Sequence, residues 1–149
     1  MPLGMQLGKN AYIRTALDYA SGNSDRNGET MDMQHAEGVL MIVKFATIAG
    51  GATTTVKAQS GAESGMGDAA DLESTGISVA DDDDNQIFII DLYRPQERYV
   101  RLVVDKDGSN ATAESAVYVK YGVRKAPVDN DVADEVTYEL HVSPDEGTA

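Results

Sequence analysis

Residues 87–125 constrain the fold most strongly, because three apolar runs alternate there with short polar breaks. The runs occupy residues 87–93, 99–104 and 116–123, and Pro95 lies between the first two. Proline cannot donate a hydrogen bond into a sheet, so it separates strands. The second and third runs alternate with a period of two, which places successive side chains on opposite faces of a strand. The stretch therefore predicts three β-strands joined by turns.

The alternation also assigns the faces of these strands. In the second run, one face carries Val100, Leu102 and Val104 and the other carries Tyr99, Arg101 and Val103. In the third run, one face carries Val117, Val119, Tyr121 and Val123 and the other carries Tyr118, Lys120 and Gly122. We expect Leu102 and Ile89 to occupy core positions in the folded protein.

Further strands are predicted on both sides of this stretch. Gly38–Ile48 is a continuous apolar run, which predicts a strand buried on both faces. Residues 53–59 are rich in threonine and follow a Gly-Gly pair, so the two runs predict a β-hairpin. Weaker strands are expected at residues 72–79 and 136–142. Roughly six to eight short strands, without a long amphipathic helix, predict an all-β fold, an antiparallel β-sandwich of the jelly-roll kind.

The chain of 149 residues has the length of one domain. Residues 1–38 contain few large apolar side chains, and residues 21–30 are polar and rich in turn-forming types. We predict an N-terminal arm over residues 1–38 with one short element at residues 11–19. A β-sandwich domain is predicted over residues 39–142, and a C-terminal tail over residues 143–149.

Composition narrows the classes of function. The formal net charge is −13, whereas a nucleic-acid-binding surface needs a local surplus of lysine and arginine. The chain has no cysteine, which removes disulfides, thiolate metal sites and cysteine nucleophiles. The N-terminus lacks the basic start and apolar run of a signal peptide, and the run at Gly38–Ile48 is too short to cross a bilayer. We expect neither nucleic acid nor a membrane among its partners.

No motif in the sequence predicts catalysis or a cofactor. The acidic run at residues 81–85 lacks the glycine and glutamate of an EF-hand loop, although a looser Ca²⁺ site stays open beside a solvated turn. His35 and His141 stand outside zinc-binding spacings, and no G-x-S-x-G nucleophile elbow is present. The Gly-rich residues 65–70 do not follow an apolar strand, as a phosphate-binding loop would. We predict no catalytic residue, no metal ligand and no cofactor.

Arginine and tyrosine are concentrated around two of the predicted strands of this acidic chain. Both residue types are enriched at protein interfaces. The candidate protein interface consists of Arg94, Arg98, Tyr99, Arg101, Tyr118 and Arg124, with Tyr93 beside them. The alternative is that these arginines pair with carboxylates of the same chain, in which case each surface pair contributes little to stability.

The order of strands and breaks resembles a family of phage proteins. The residues that carry the resemblance are the Gly-Gly break followed by a Thr-rich strand, IFIIDLYRP at 87–95, RYVRLVV at 98–104 and YGVRKAP at 121–127. With these features, about residues 38–127 resemble the capsid decoration, or cement, proteins of tailed bacteriophages. The resemblance lies in the order of the strands and of the breaks between them, and it includes no catalytic motif.

The resemblance implies a jelly-roll-like sandwich on the outer surface of the virion capsid, assembled in the host cytoplasm. It implies a homo-oligomer, dimeric or trimeric, that clamps neighbouring subunits of the major capsid protein and stabilises the head. No ligand or active residue carries over from that family. The alternatives are a tail or neck component, a carbohydrate-binding module on the virion surface, and a small hydrolase. The absence of tryptophan and of catalytic motifs counts against the last two.

Overall fold

The structure, a computed structural model, describes residues 6–148. Within these residues the chain forms one short helix and ten strands. The elements are α1 (Leu7–Asn10), β1 (Tyr12–Gly22), β2 (Arg26–Asn27), β3 (Met31–Asp32), β4 (Gly38–Ile48), β5 (Thr54–Gly61), β6 (Ala70–Asp71), β7 (Ile77–Val79), β8 (Ile87–Tyr93), β9 (Tyr99–Lys106) and β10 (Thr112–Tyr121).

The strands form two antiparallel sheets. The first sheet has the order β1-β10-β4-β8, and the second has the order β2-β9-β5-β6. In the second sheet β3 also pairs with β9, and β7 also pairs with β5. The predicted all-β, antiparallel sandwich is therefore confirmed, whereas its jelly-roll character stays a prediction.

The core is built from alternate side chains of the two sheets. The inward side chains of β4 are Val39, Met41, Val43 and Phe45, and those of β9 are Val100, Leu102 and Val104. All of them are fully buried, and each contributes about 1.5–3 kcal/mol through removal from water. Phe45 packs edge-to-face against Phe88 of β8, with ring centroids 5.5 Å apart. The core prediction is confirmed for Leu102 and is wrong for Ile89, which is 49% exposed.

Tyr118 of β10 links the two sheets through its hydroxyl group. The hydroxyl accepts a hydrogen bond from the backbone N–H of Leu102 at 2.8 Å and donates one to the carbonyl of Glu29 at 2.8 Å. Gly28 passes so close that a Cβ atom there would lie 2.6 Å from the same hydroxyl. A glycine at this position therefore permits the chain before β3 to lie against the core.

The predicted N-terminal arm is wrong over most of its length. β1 is an eleven-residue strand of the first sheet, paired with β10, and β2 and β3 extend the second sheet. The sequence predicted only one short element at residues 11–19 within an arm, because β1 has few large apolar side chains and its buried ones include the small Ala16. Residues 1–5, also assigned to the arm, lie outside the described residues. The sandwich thus begins at Tyr12 rather than at residue 39.

The predicted hairpin between β4 and β5 is also wrong. β4 pairs with β10 and β8, whereas β5 pairs with β9 in the other sheet, so the chain crosses between sheets at this turn. Gly51 makes the crossing in the left-handed region, with φ +83°. β4 is buried on one face only, contrary to prediction, because its second face forms the outside of the first sheet.

The chain after β10 follows the surface. In place of the strand predicted at residues 136–142, the structure has a single bridge between Val132 and Val136, and the weak strand predicted at residues 72–79 shortens to β7. Residues 143–148 are exposed and form no regular element, and residue 149 lies outside the described residues.

The segment of residues 129–136 covers the free edge of β1. Asn130 Oδ1 accepts a hydrogen bond from the N–H of Ile13 at 2.9 Å, and Glu135 Oε1 accepts one from the N–H of Thr15 at 2.9 Å. An uncovered strand edge is a template for pairing with another chain. The segment therefore protects this side of the first sheet.

Candidate functional site

Three of the predicted interface arginines meet at one end of the sandwich. The main chain brings them together, because each hydrogen-bonds to the segment of residues 32–37. Arg94 N–H donates to the Glu37 carbonyl at 2.7 Å, and Arg124 N–H donates to the His35 carbonyl at 3.0 Å. The carbonyl of Arg98 accepts a hydrogen bond from the N–H of Met33 at 2.8 Å. We call Arg94, Arg98 and Arg124, together with Tyr99 beside Arg98, the arginine end.

Two of these arginines are paired with carboxylates of the same chain. Arg98 binds both oxygens of Asp32, at 2.9 and 2.8 Å, and Arg94 Nε donates to Glu37 at 2.9 Å. The bond from Arg98 lowers the pKa of Asp32 below its usual value. The small stabilisation that this pair provides is thus present above about pH 3.9, the pKa of an aspartate in the unfolded chain. It is lost as pH falls through the lower pKa that Asp32 has in the folded protein. Both arginines therefore pair with carboxylates of the same chain, which was the alternative to an interface role.

Each of the two paired arginines also lies over a neighbouring ring. Arg94 lies 5.1 Å from the ring centroid of Tyr93, and Arg98 lies 5.1 Å from that of Tyr99. Side-chain exposure is 68% for Arg94 and 46% for Arg98. The arginine end is therefore accessible to a partner, although much of its positive charge is offset by Asp32 and Glu37.

The other predicted interface residues lie elsewhere. Arg101 is on the outside of the second sheet, where its Nε donates to Gln59 Oε1 at 2.9 Å. Tyr118 is 1% exposed, so its assignment to an interface is wrong. The error arose because β10 is apolar on both faces, and the period-two pattern alone does not say which face is inside.

The outside of the first sheet is an apolar surface. Ile89, Ile42 and Val117 are directly opposite one another on three neighbouring strands. Leu40 and Val119 form the next row with Ile13 of β1. We call this surface the outer face; its apolar members are Ile13, Leu40, Ile42, Ile87, Ile89, Val117 and Val119. Ile87, Ile89 and Val117 are 53%, 49% and 40% exposed, respectively.

Sequence reasoning missed the outer face as a surface. The signal was present, because β4, β8 and β10 all have apolar side chains on both faces, as is typical of strands covered on both sides. In the described part of the chain, roughly half of the surface of each of its three exposed members stays accessible to solvent. Contiguous apolar patches of this kind on a folded monomer mark interaction sites.

Polar side chains border the outer face. Lys44, which lies opposite Ile87, donates to the carbonyl of Asn85, and the hydroxyl of Tyr121 donates to Asp91 Oδ1. Burial and this bond to Asp91 raise the pKa of Tyr121 to about 12. An apolar centre with a polar rim is the usual anatomy of a protein interface.

Alkaline titration followed by tyrosinate absorbance is expected to show two late-ionising tyrosines. Burial raises the pKa of Tyr118 as well as that of Tyr121, whereas an unperturbed tyrosine ionises near pH 10. The raised pKa values stabilise the fold below pH 10, and this stabilisation is lost as pH rises through about 12 for Tyr121. Tyr121→Phe should remove one tyrosine equivalent from the late step. An unchanged late step in that variant would contradict the assignment.

A buried charged network lies away from both surfaces. Glu114 is fully buried; its Oε1 accepts a hydrogen bond from Arg26 at 2.9 Å and forms an ion pair with Lys106 Nζ, also at 2.9 Å. Its Oε2 accepts a bond from the hydroxyl of Thr112 at 2.6 Å. The side chain of Lys106 is 1% exposed. The network therefore joins β2, β9 and β10 as a structural element, and no sequence signal linked residues so far apart.

The acidic turn at residues 81–85 is tied to neighbouring loops. Asp81 accepts a hydrogen bond from the N–H of Gly51 at 2.6 Å, and Asp84 accepts one from the N–H of Ile48 at 2.7 Å. These carboxylates thus fasten the turn to the end of β4. Over residues 6–148, no group of three or more histidine, aspartate or glutamate side chains is placed to hold a metal ion.

A cleft of about 510 Å³ lies beside β1 and is open to solvent. Its ionisable lining side chains are Arg14, Asp18, Glu29, Tyr118, Asp134 and Glu135. The Tyr118 hydroxyl is already committed to the core hydrogen bonds, and Arg14 is bound to Asn130 Oδ1 at 3.2 Å. The cleft offers charge and hydrogen bonding rather than an arranged pair of reacting groups.

Comparison with known proteins finds similarity at the level of the fold. No protein-family model matches the chain, and no curated protein matches it. The crystal structure of the PBSX exported protein XepA is similar, with a TM-score of 0.50 and 12% sequence identity. The similarity covers 95% of this chain and 47% of that chain, so this chain spans about half of XepA. At this identity the likeness shows similarity of the fold alone. No helix in the described part of the chain is long and apolar enough to cross a membrane.

Proposed function

We propose that this protein is a non-enzymatic phage structural protein that binds the outside of the head and clamps neighbouring major capsid subunits. The outer face is the observation that carries the proposal. It is broad, apolar and bordered by polar side chains, and it belongs to a rigid sheet rather than to loops. A surface of this kind suits a flat protein partner better than a small molecule.

Two similarities support the proposal that this protein belongs to a phage. The strand pattern of about residues 38–127 resembles capsid decoration proteins, and the fold is similar to that of the phage PBSX exported protein XepA. The proposed location is accordingly the outer surface of the virion, after assembly in the host cytoplasm.

The energetics of the outer face fit repeated, weak attachment. Covering the exposed halves of Ile87, Ile89 and Val117 contributes about 1 kcal/mol each. Such a contact is modest for a single copy. A homo-oligomer that binds several capsid subunits at once multiplies modest affinities, because each later contact forms at high effective concentration.

The arginine end is proposed as a second contact. It presents the accessible guanidinium groups of Arg94 and Arg98, with Tyr99 beside them. Since the guanidinium group of Arg98 still has N–H donors that Asp32 does not use, a carboxylate on a capsid subunit could bind there as well.

Sedimentation with phage heads tests the proposed function. Purified protein is mixed with expanded heads of its phage that lack it, and bound protein is measured after pelleting. Saturable binding at a fixed number of copies per head is expected, together with greater resistance of the heads to heat. Failure to pellet with heads would contradict the proposal and would favour the tail or neck alternative.

Arg98→Glu is expected to weaken head binding about threefold to tenfold, equivalent to about 0.6–1.4 kcal/mol. The substitution breaks the pair with Asp32 and places two negative charges together, but the fold loses little stability because the pair is exposed. Arg101→Glu is the matched control, since Arg101 lies on the outside of the second sheet. Equal loss of binding in both variants would point to net charge rather than to the arginine end.

A further inference from the structure

β8 ends the first sheet with an open backbone edge. Phe45 N–H donates to the Gln86 carbonyl at 3.0 Å, and Arg94 N–H donates to the Glu37 carbonyl at 2.7 Å. Hydrogen-bonded pairs alternate along an antiparallel ladder, so the even-numbered residues of β8 turn their backbone groups toward β4. The odd-numbered residues, Ile87, Ile89, Asp91 and Tyr93, turn theirs away. No other strand in the described part of the chain pairs with that side of β8.

The other sheet edges in the described part of the chain are covered or short. Residues 129–136 cover the edge of β1 through Asn130 and Glu135. The marginal strands of the second sheet, β2, β3, β6 and β7, are only two or three residues long. β8 has seven residues, no proline, no lysine and a continuous register with β4. Apart from the single charge of Asp91, it lacks the common devices by which proteins prevent edge-to-edge pairing.

We propose that β8 pairs antiparallel with β8 of a second copy of this chain, joining two first sheets into one continuous eight-stranded sheet. A two-fold axis at Ile90 places Ile87 opposite Tyr93 and Ile89 opposite Asp91. In this register, all four residues whose backbone groups point away from β4 can hydrogen-bond to the second copy. The cross-strand pairs of isoleucine with tyrosine are also favourable. A shift of the axis to Asp91 would bring two aspartates together, which is unfavourable.

The charges at the two ends of β8 favour a second copy over an unrelated strand. The strand begins after the acidic turn at residues 81–85 and ends at Arg94. In the antiparallel register, Tyr93 of each copy lies opposite Ile87 of the other, which brings Arg94, where the chain turns with φ +51°, close to that acidic turn. Arg94 is exposed, and its Nε alone is used by Glu37, which leaves its terminal N–H groups free to bind a carboxylate. Both ends of the pair are thus self-complementary, as a two-fold interface requires.

The paired arrangement would place two outer faces side by side on one surface. The backbone groups make the contact, so the side chains of Ile87 and Ile89 remain on the outer face. The inference does not depend on head binding, because it follows from the open edge and the charges alone.

Sedimentation equilibrium and amide hydrogen exchange on the full chain test this pairing together. We expect a concentration-dependent dimer in which the amides of Ile87, Ile89, Asp91 and Tyr93 exchange slowly. On dilution these four amides should exchange rapidly, while that of Ile90 stays protected by β4. A monomer at all concentrations, or a dimer in which the four amides exchange rapidly, would overturn the inference.

Two variants locate the contact. Ile89→Pro removes an N–H that points away from β4, so it spares the ladder of the monomer but blocks pairing with a second copy. Arg94→Glu keeps the strand intact and reverses the charge beside the partner's acidic turn. Each is expected to weaken dimerisation at least about tenfold. The matched control, Arg101→Glu, makes the same charge change on the outside of the second sheet and should dimerise as the natural chain does. Undiminished dimerisation of Ile89→Pro and Arg94→Glu would reject the β8 edge.

Discussion

Glu114→Gln is expected to lower the free energy of unfolding by about 3–5 kcal/mol. The substitution removes the negative charge that Lys106 and Arg26 share inside the sandwich. Lys106 would remain almost fully buried with hydrogen bonds to the carbonyls of Gly22 and Thr112 but without a counter-charge. Removing one partner of a buried ion pair costs far more than removing an exposed one, because the remaining charge has lost both water and its partner.

Urea unfolding followed by circular dichroism measures this effect. Glu73→Gln, at an exposed position, is the matched control and should change stability by less than about 0.5 kcal/mol. The double variant Glu114→Gln with Lys106→Met should lose less stability than the sum of the two single variants, since it leaves no lone lysine. A loss below about 1 kcal/mol in Glu114→Gln would show that the charged network does not hold the sandwich together.

Leu102→Ala is expected to destabilise the fold by about 2–5 kcal/mol. Leu102 is fully buried at the centre of β9, and its backbone binds both Tyr118 and Gly28. Truncating the side chain removes buried apolar area and leaves a cavity that the rigid β-ladder on either side cannot close.

Ile89→Ala provides the matched comparison for Leu102→Ala. Both positions lie in apolar strands, but Ile89 is 49% exposed on the outer face. Its loss should cost under about 1 kcal/mol in the monomer. Denaturant titration of the two variants in dilute solution gives the comparison. Equal losses would show that the two faces of the first sheet have been assigned incorrectly.

The positions of the strongest strands were predictable because their signals are local. β8 has the bounds expected from its isoleucine-rich run and the proline that follows it, and β4 spans the predicted apolar run. The alternation in β9 placed Leu102 correctly, because the polar side chains of its second face mark the outside.

Strand partners were not predictable in the same way. The Gly-Gly turn after β4 indicated a hairpin, yet the turn carries the chain to the other sheet, and only distant strands determine that outcome. For the region of β1 the sequence predicts only a short element within an arm, because the region is weakly apolar. Its place in the sheet comes from pairing with β10, about a hundred residues away along the chain.

The candidate site was predictable only in part for a similar reason. Sequence placed Arg94 and Arg98 close together, but their partners Glu37 and Asp32 are distant in sequence and became visible only in the structure. The outer face required knowledge of which side of β10 is buried. Tyr118 belongs to the inside and Val117 to the outside, and an alternating pattern with apolar residues on both faces fits either choice.

Head binding by Val117→Lys tests the central claim most directly. Val117 is exposed at the centre of the outer face, away from the arginine end and from the β8 edge. A lysine there keeps the strand but places a charge on the apolar surface that we propose contacts the capsid. The account predicts at least about tenfold weaker binding to heads than that of the natural chain, with an unchanged melting temperature. Equal binding by the variant and the natural chain would contradict it.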